Sequence, residues 1–209
     1  MPTAKLFPTY LHRALIGSRG AKRLNKQIQK ECYVFRDLDD AGRRWSCENY
    51  WGGYTSYGSI TDLPFRSSTF HSLKEMLDRE VFRFVRHLDW DLSKGQPEMC
   101  SCWINIMGPG SHHSFHLHPD SVISGTYYVK VPPNSGAFKV EDPRIACFMG
   151  SPPVKRNVRR DNSRYMSLAP RARELVLFES WLKHEVPAHH AKSDRISVSF
   201  NYHWVDVGR

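Results

Sequence analysis

The feature that most constrains the fold is a change in hydrophobic period near Met99. Before this point, apolar residues recur at three- and four-residue spacing in residues 72–88, where Ser72 and Glu75 have the spacing of a capping box. Residues 21–35 are a second, weaker helical candidate. From Met99 onward apolar residues alternate with polar ones, which is typical of strands. We therefore expect helices in the first half and a sheet in the second.

Six strand-length segments follow one another after this change, with no strong helical pattern between them. They are rich in β-branched and aromatic residues and are separated by turn residues. Their sequences are CSCWINIM, SFHLH, SGTYYVKV, GAFKVED, ELVLFES and RISVSFNYHW. This order predicts a mainly β fold with flanking helices, built as a closed or two-sheet antiparallel structure. No internal repeat or composition shift divides the chain, so we expect a single domain over residues 1–209.

The composition is that of a globular chain. Hydrophobic residues make up 40% and aromatic residues 12% of the 209 residues, and no apolar run approaches the length of a membrane span. The first twenty residues lack the continuous apolar stretch of a secretory signal, and the five cysteines are odd in number and widely spread. These features predict a cytoplasmic protein with reduced cysteines and no membrane segment.

The formal net charge is +9, and its excess is concentrated in residues 19–30 and 154–173. Basic runs of this kind can bind nucleic acid by counterion release. No nucleic-acid-binding motif accompanies them, so we expect a solvated basic surface. Residues 155–173 are also a candidate lid, or a loop that steers an anionic substrate.

The stretch HHSFHLHPD holds four histidines within residues 112–118. Alternate residues of a strand point to the same side, so either His116 with His118 or His118 with Asp120 could bind one ion. Imidazole suits iron, zinc, copper or nickel, and two histidines with one carboxylate are typical of non-haem Fe(II) oxygenases. Pro119 has no N–H for strand pairing, which favours the pair His116 and His118 and leaves Asp120 in a turn. The pair with Asp120 remains open.

A third ligand is expected from a later strand. His184 directly follows the apolar strand ELVLFES and a Trp, and is the best candidate. His189 and His190 lie beyond a turn that contains proline, and we expect them to be exposed. The two histidines that open the stretch HHSFHLHPD precede the regular strand and are not expected to bind a metal.

The final strand alternates through its whole length. One of its faces is apolar and the other is polar, beginning with Arg195 and Ser197 and ending with His203. A polar strand face is either exposed to solvent or lines a polar cavity. Both interpretations stay open on periodicity alone.

Taken together, these segments resemble the 2-oxoglutarate/Fe(II)-dependent oxygenases. They are similar in particular to a bacterial and phage group with the motifs H-x-H-P, SGxYYV, DPR, LFxSWLxH and RISxSFN, and the stretches LFPTYL and GGYTS also match. The resemblance covers nearly the whole chain. It implies a double-stranded β-helix (jelly-roll, cupin-like) over residues 99–209, preceded by a mostly helical part over residues 1–98. It also implies Fe(II) as cofactor, 2-oxoglutarate as cosubstrate, and His116, His118 and His184 as metal ligands.

The same resemblance implies a cosubstrate site. Arg195 matches the arginine that pairs with the distal carboxylate of 2-oxoglutarate, a role for which its planar fork is suited. Ser197 matches an R-x-S pattern, Tyr128 resembles a tyrosine that touches the same carboxylate in some members, and Ser124 lies on the same strand face as Tyr128. Most of the superfamily uses H-x-D, so a metal site of His118, Asp120 and His184 is the second model.

The expected activity is that of a hydroxylase-type dioxygenase. It would release succinate and CO₂ from 2-oxoglutarate and O₂ while oxidising a substrate that the sequence does not identify. One alternative is a cupin-like enzyme that binds metal through three histidines without 2-oxoglutarate, and another is a basic binding module without catalysis. Residues 36–58, rich in aromatic residues and glycine, are either a packed loop or a substrate entrance.

Overall fold

The computed structural model describes residues 3–17 and 19–208, so residues 1, 2, 18 and 209 of the predicted domain lie outside the described residues. The helices are α1 (Arg19–Leu38), α2 (Asp40–Asn49), α3 (Leu63–Arg66) and α4 (Ser68–His87). The strands are β1 (Leu11–Leu15), β2 (Gly53–Thr55), β3 (Gly95–Met107), β4 (His113–His116), β5 (Ile123–Lys130), β6 (Phe138–Glu141), β7 (Tyr165–Leu168), β8 (Glu174–Glu179), β9 (His184–Val186) and β10 (Arg195–Asp206). Two 3₁₀ turns, Ile145–Phe148 and Arg160–Asn162, lie between β6 and β7.

The strands form two antiparallel sheets. The major sheet has six strands in the order β1-β8-β5-β10-β3-β2, and the minor sheet has four in the order β4-β9-β6-β7. From β3 onward the chain alternates between the two sheets, except that β6 and β7 are neighbours in the minor sheet. This arrangement is the double-stranded β-helix expected from the sequence. The prediction of a mainly β fold with flanking helices is confirmed.

The outer face of the major sheet packs against α1 and α4. The apolar side of β10 supplies Ile196, Val198, Phe200 and Tyr202 to this core, and all four side chains are buried. Each buried residue of this size contributes about 1.5–3 kcal/mol through removal of apolar surface from water. The opposite face of β10 is turned towards the minor sheet, so the polar side chains line the space between the sheets.

The helix predicted over residues 72–88 begins earlier than expected. Its N-cap is Ser67, whose hydroxyl accepts a hydrogen bond from the N–H of Thr69 at 3.1 Å and donates one to Glu31 at 2.5 Å. The capping box predicted at Ser72 is therefore wrong. Glu31 lies on α1, so a contact between two helices fixes the start of α4, and local sequence does not contain that information.

Four strands were missed by the sequence pattern. β1 and β2 come from the mostly helical first half and occupy the two edges of the major sheet, while β7 and β9 are only four and three residues long. Edge and very short strands are held by pairing rather than by a strong period of their own. β7 lies inside the basic segment 155–173, so part of the candidate lid is sheet that pairs with β6.

Across residues 3–17 and 19–208, no helix has both the length and the apolar composition that crossing a membrane requires. The two longest helices, α1 and α4, are amphipathic. Each turns its apolar side to the major sheet.

Candidate metal and cosubstrate site

Three histidines of the minor sheet lie together at the space between the sheets. His116 ends β4 and His184 begins β9, and the two are cross-strand partners. His118 lies two residues beyond the end of β4, and its N–H donates to the carbonyl oxygen of Ser180 at 3.1 Å. The ring centroids are 4.3 Å apart for His116 and His184, and 5.2 Å apart for each pair that includes His118. One nitrogen from each ring lies within 4.8 Å of the others.

The backbone orients two of these rings. The Nδ1 atom of His116 is 2.7 Å from the carbonyl oxygen of Ser114, and Nδ1 of His184 is 2.8 Å from the carbonyl oxygen of Leu182. A carbonyl oxygen only accepts, so each Nδ1 carries the proton. The lone pair of each neutral ring is then on Nε2. This is the form in which imidazole binds a metal.

Burial keeps two histidines of this cluster uncharged. It lowers the pKa of His118 to about 4 and that of His184 to about 3, and the neighbouring His116 ring lowers both further. Metal ligation requires neutral imidazole. At neutral pH His118 and His184 are already in the ligating form.

Asp120 does not join the cluster. Among the described residues the group of potential metal ligands at this place consists of the three histidines. Asp120 is exposed, and its φ of 62° places it in the left-handed region, which aspartate tolerates better than most residues. The H-x-D interpretation required Asp120 to continue the extended strand after His118. Because the backbone turns after Pro119, the Asp120 carboxylate does not lie on the same side as His118.

A cavity beside the histidines extends between the two sheets. It encloses about 480 Å³ of empty space, part of which is open to solvent. The three histidines line it from the minor sheet, and Arg195, Ser197 and Tyr128 line it from the major sheet. The first part of the polar face of β10, with Arg195, Ser197 and Ser199, thus lines a cavity, whereas His203 at its end is exposed.

Arg195 is a buried cation with no acidic partner. Its side chain is only 2% exposed, and within the described part of the chain no carboxylate oxygen lies at ion-pair distance from it. The guanidinium donates to the sulfur of Met107 at 2.8 Å and lies 5.0 Å from the ring centroid of Tyr128, while its Nε has no partner. A buried charge without a counter-ion is costly. The arrangement therefore suits an anionic ligand.

Ser124 occupies a different environment from the other predicted cosubstrate residues. Its hydroxyl is 2.8 Å from the hydroxyl of Ser180 and 2.8 Å from Oδ1 of Asn201, and it is not among the residues that line the cavity. Ser180 is the residue whose carbonyl accepts the N–H of His118. Ser124 thus contacts the backbone support of the metal cluster.

Two expectations about other histidines are wrong. His113 was expected to precede the regular strand, but it opens β4 and lines the cavity; burial lowers its pKa to about 3. His189 was expected to be exposed, but it is fully buried, because its N–H bonds to Ser111 and its carbonyl accepts from Gly110. His190 is exposed as expected.

The cavity also contains residues that the sequence did not single out. Trp103 and Asn105 line it from β3, with Asn105 donating to Ser199 at 3.0 Å. The alternation of residues in CSCWINIM could have identified the cavity-facing side of β3. Trp103 and Asn105 share that side, and each is paired with a polar residue of β10. Within residues 36–58, Tyr54 is buried and paired in β2, whereas Tyr57 is exposed and its ring centroid lies 5.2 Å from that of Trp103.

Comparison with protein families gives a match to the class of enzyme that the sequence resembles, the 2-oxoglutarate/Fe(II)-dependent oxygenases. Residues 101–201, which are 101 of the 209 residues, match a family model described as "Putative 2OG-Fe(II) oxygenase". No match was found among curated proteins.

Several solved structures are similar to this chain. HygX from Streptomyces hygroscopicus, with nickel and 2-oxoglutarate bound, has 14% identity and a TM-score of 0.62 over 93% of this chain and 83% of that chain. A Pseudomonas putida prolyl-4-hydroxylase has 16% identity and a TM-score of 0.54 over 93% of this chain and 92% of that chain. A 2OG-Fe(II) oxygenase family oxidoreductase from Burkholderia pseudomallei has 20% identity and a TM-score of 0.47, covering 66% of this chain and 56% of that chain. This chain therefore spans little more than half of that last relative.

The solved structures show the fold. The family match covers residues 101–201, just under half of the chain, and over that segment the chain is similar to 2-oxoglutarate/Fe(II)-dependent oxygenases, enzymes that use Fe(II) as cofactor and 2-oxoglutarate and O₂ as cosubstrates. The residues present fit these groups. Three neutral imidazoles form a donor set suited to Fe(II), and a buried arginine without an acid suits a carboxylate.

Proposed function

We propose that this chain is a hydroxylase whose iron is held by His116, His118 and His184, and whose 2-oxoglutarate is held by Arg195 with Tyr128 and Ser197. The observation that carries the proposal is the buried, acid-free guanidinium of Arg195 in the same cavity as three clustered histidines. A metal-binding protein without this cosubstrate would leave that charge uncompensated.

The iron and 2-oxoglutarate, when bound, supply the oxidation itself: decarboxylation to succinate and CO₂ accompanies transfer of one oxygen atom of O₂ to the substrate. The protein residues bind and orient. The carbonyl oxygens of Ser114 and Leu182 hold the Nδ1 protons of His116 and His184, which keeps both Nε2 atoms available. Three imidazoles carry no charge, so the dianionic cosubstrate offsets the charge of the metal and of Arg195.

Ser124 acts indirectly in this scheme. Its hydroxyl bonds to Ser180, whose carbonyl receives the N–H of His118. We assign it to the support of the metal ligand rather than to direct contact with the cosubstrate. Ser197 retains a direct role, because it lines the cavity two residues beyond Arg195 on the same strand face.

We further assign residues 1–209 to one domain located in the cytoplasm. The first 98 residues supply both edge strands of the major sheet and the helices that cover it, which supports a single folding unit. The five cysteines are unpaired, as expected in a reducing compartment. The chemical nature of the primary substrate does not follow from these residues.

The test is an oxygen-dependent assay on protein purified without oxygen and loaded with Fe(II). We expect 2-oxoglutarate to bind and to yield slow formation of succinate even without a primary substrate. His184→Ala should abolish both iron binding and succinate formation, whereas Lys192→Ala, at an exposed residue outside the cavity, should preserve them. Absence of 2-oxoglutarate binding to iron-loaded protein, with binding of a different small acid, would instead support the cupin-like alternative.

A further inference from the structure

Unpartnered polar atoms are concentrated around Arg195. Six buried side-chain atoms of the described residues have no hydrogen-bond partner, and three of them are the hydroxyls of Tyr50 and Tyr128 and Nε of Arg195. Buried polar groups in folded proteins nearly always have one. Two unpartnered hydroxyls near a buried cation whose own Nε is also unpartnered indicate that a polar ligand completes this site.

Tyr50 comes from the helical first half of the chain. It is the C-cap of α2, and its N–H donates to the carbonyl oxygen of Ser46 at 2.8 Å. Gly53 makes room for the ring, since a Cβ at that position would lie 2.7 Å from Cε1 of Tyr50. The Tyr50 ring is consequently fixed by its own segment before any ligand binds.

The neighbours of Tyr50 belong to the cavity wall. Tyr50 packs with Met107 and Val186, and its ring centroid is 4.5 Å from that of His113. Met107 accepts the hydrogen bond from Arg195, while Val186 and His113 line the cavity. Tyr50 therefore lies beside the cavity wall and within electrostatic range of the Arg195 guanidinium, although it is not itself among the residues that line the cavity.

The charge state of Tyr50 suits a donor. Burial raises the pKa of its hydroxyl, and the positive charge of Arg195 offsets this only in part. The hydroxyl therefore stays protonated at neutral pH. A carboxylate has about four lone-pair sites that accept hydrogen bonds. A bidentate guanidinium occupies only part of them, so the remaining sites can accept from hydroxyl groups.

We propose that the Tyr50 hydroxyl donates a hydrogen bond to the distal carboxylate of 2-oxoglutarate, beside Arg195 and Tyr128. This inference rests on the proposed function and extends it. The cosubstrate site then includes a residue outside the segment 101–201 that matches the family model.

The experiment is an anaerobic calorimetric titration of iron-loaded protein with 2-oxoglutarate. Tyr50→Phe removes only the hydroxyl and should weaken binding by about 10- to 100-fold, the range for a hydrogen bond to a charged group. Its affinity for Fe(II) should stay within about twofold of wild type, since the hydroxyl is not placed on the metal. Tyr54→Phe is the matched control, because that hydroxyl donates to Asp39 at 2.8 Å and should not affect 2-oxoglutarate affinity.

Two results would overturn the inference. One is unchanged 2-oxoglutarate affinity in Tyr50→Phe; the other is a parallel loss of Fe(II) and 2-oxoglutarate affinity, which would indicate a collapsed site. Arg195→Met separates this inference from the function on which it rests. If Arg195→Met weakens binding and Tyr50→Phe does not, only the role of Tyr50 fails; if neither does, the cosubstrate site itself is misassigned.

Discussion

Replacing Arg195 by methionine should weaken cosubstrate binding without lowering protein stability. Arg195 is 2% exposed and has no acidic partner, so the change removes a buried charge and leaves a side chain of similar length. Replacing a buried charge by an apolar group is often neutral or stabilising. We therefore expect the ligand-free Arg195→Met protein to unfold at the same temperature as wild type or at a higher one.

The effect on 2-oxoglutarate should be large. A hydrogen bond to a charged group is worth about 1.5–3 kcal/mol, so its loss weakens binding by about 10- to 150-fold. At a concentration 100 times the wild-type dissociation constant, the ligand stabilises wild type by about 2.7 kcal/mol. After a 100-fold loss of affinity the same concentration gives about 0.4 kcal/mol. For a chain of this size, the difference corresponds to about 5–9 °C in the ligand-induced shift of the unfolding temperature.

The assay is thermal unfolding of the iron-loaded protein without oxygen, with and without 2-oxoglutarate. Arg13→Met is the control, because Arg13 forms an ion pair with the buried Glu174 at 2.7 Å outside the cavity. That variant should lower the unfolding temperature and keep the full ligand-induced shift. A strongly destabilised Arg195→Met protein with an unchanged ligand-induced shift would refute the reasoning, since Arg195 would then be a structural residue.

Three further predictions follow from the described contacts. In native protein a thiol reagent should modify Cys47, Cys100 and Cys147 quickly, but not the buried Cys32 and Cys102, whose pKa is raised by burial; rapid reaction of all five would contradict this. Ser67→Ala should lower the free energy of unfolding in urea by about 1 kcal/mol, as for loss of an N-cap, whereas Ser72→Ala should change it by less than about 0.5 kcal/mol; equal effects would place the helix start elsewhere. Ser124→Ala should weaken Fe(II) binding by about tenfold, as for loss of a group that supports a ligand, and leave 2-oxoglutarate affinity of the iron-loaded form unchanged; the reverse pattern would return Ser124 to the cosubstrate.

The sequence predicted those parts of the site that depend on strand period. The alternation of β10 correctly separated an apolar side, which packs on the helices, from a polar side that begins at Arg195 and lines the cavity. His116 could be assigned to a strand in advance, whereas His184 was identified from its position directly after the strand ELVLFES and its own short strand, β9, was missed. Period two is a local property, so it is readable from neighbouring residues.

The remainder depends on contacts between distant segments. His118 lies outside the regular strand, and its backbone is held by Ser180, 62 residues later in the chain. Tyr50 contacts Met107 of β3 only because α2 and β2 pack beside that strand. Neither arrangement has a local pattern. The same holds for the start of α4, where Ser67 bonds to Glu31 on another helix.

The central claim is that three histidines, without Asp120, hold the iron. Its most direct test is the stoichiometry and affinity of Fe(II) binding to two single variants, His116→Ala and Asp120→Ala, measured side by side under anaerobic conditions. We expect Asp120→Ala to bind one Fe(II) with wild-type affinity and His116→Ala to lose Fe(II) binding. Of these two residues, His116 places a ligand atom within the cluster and Asp120 does not. Retention of iron by His116→Ala together with its loss from Asp120→Ala would contradict the account.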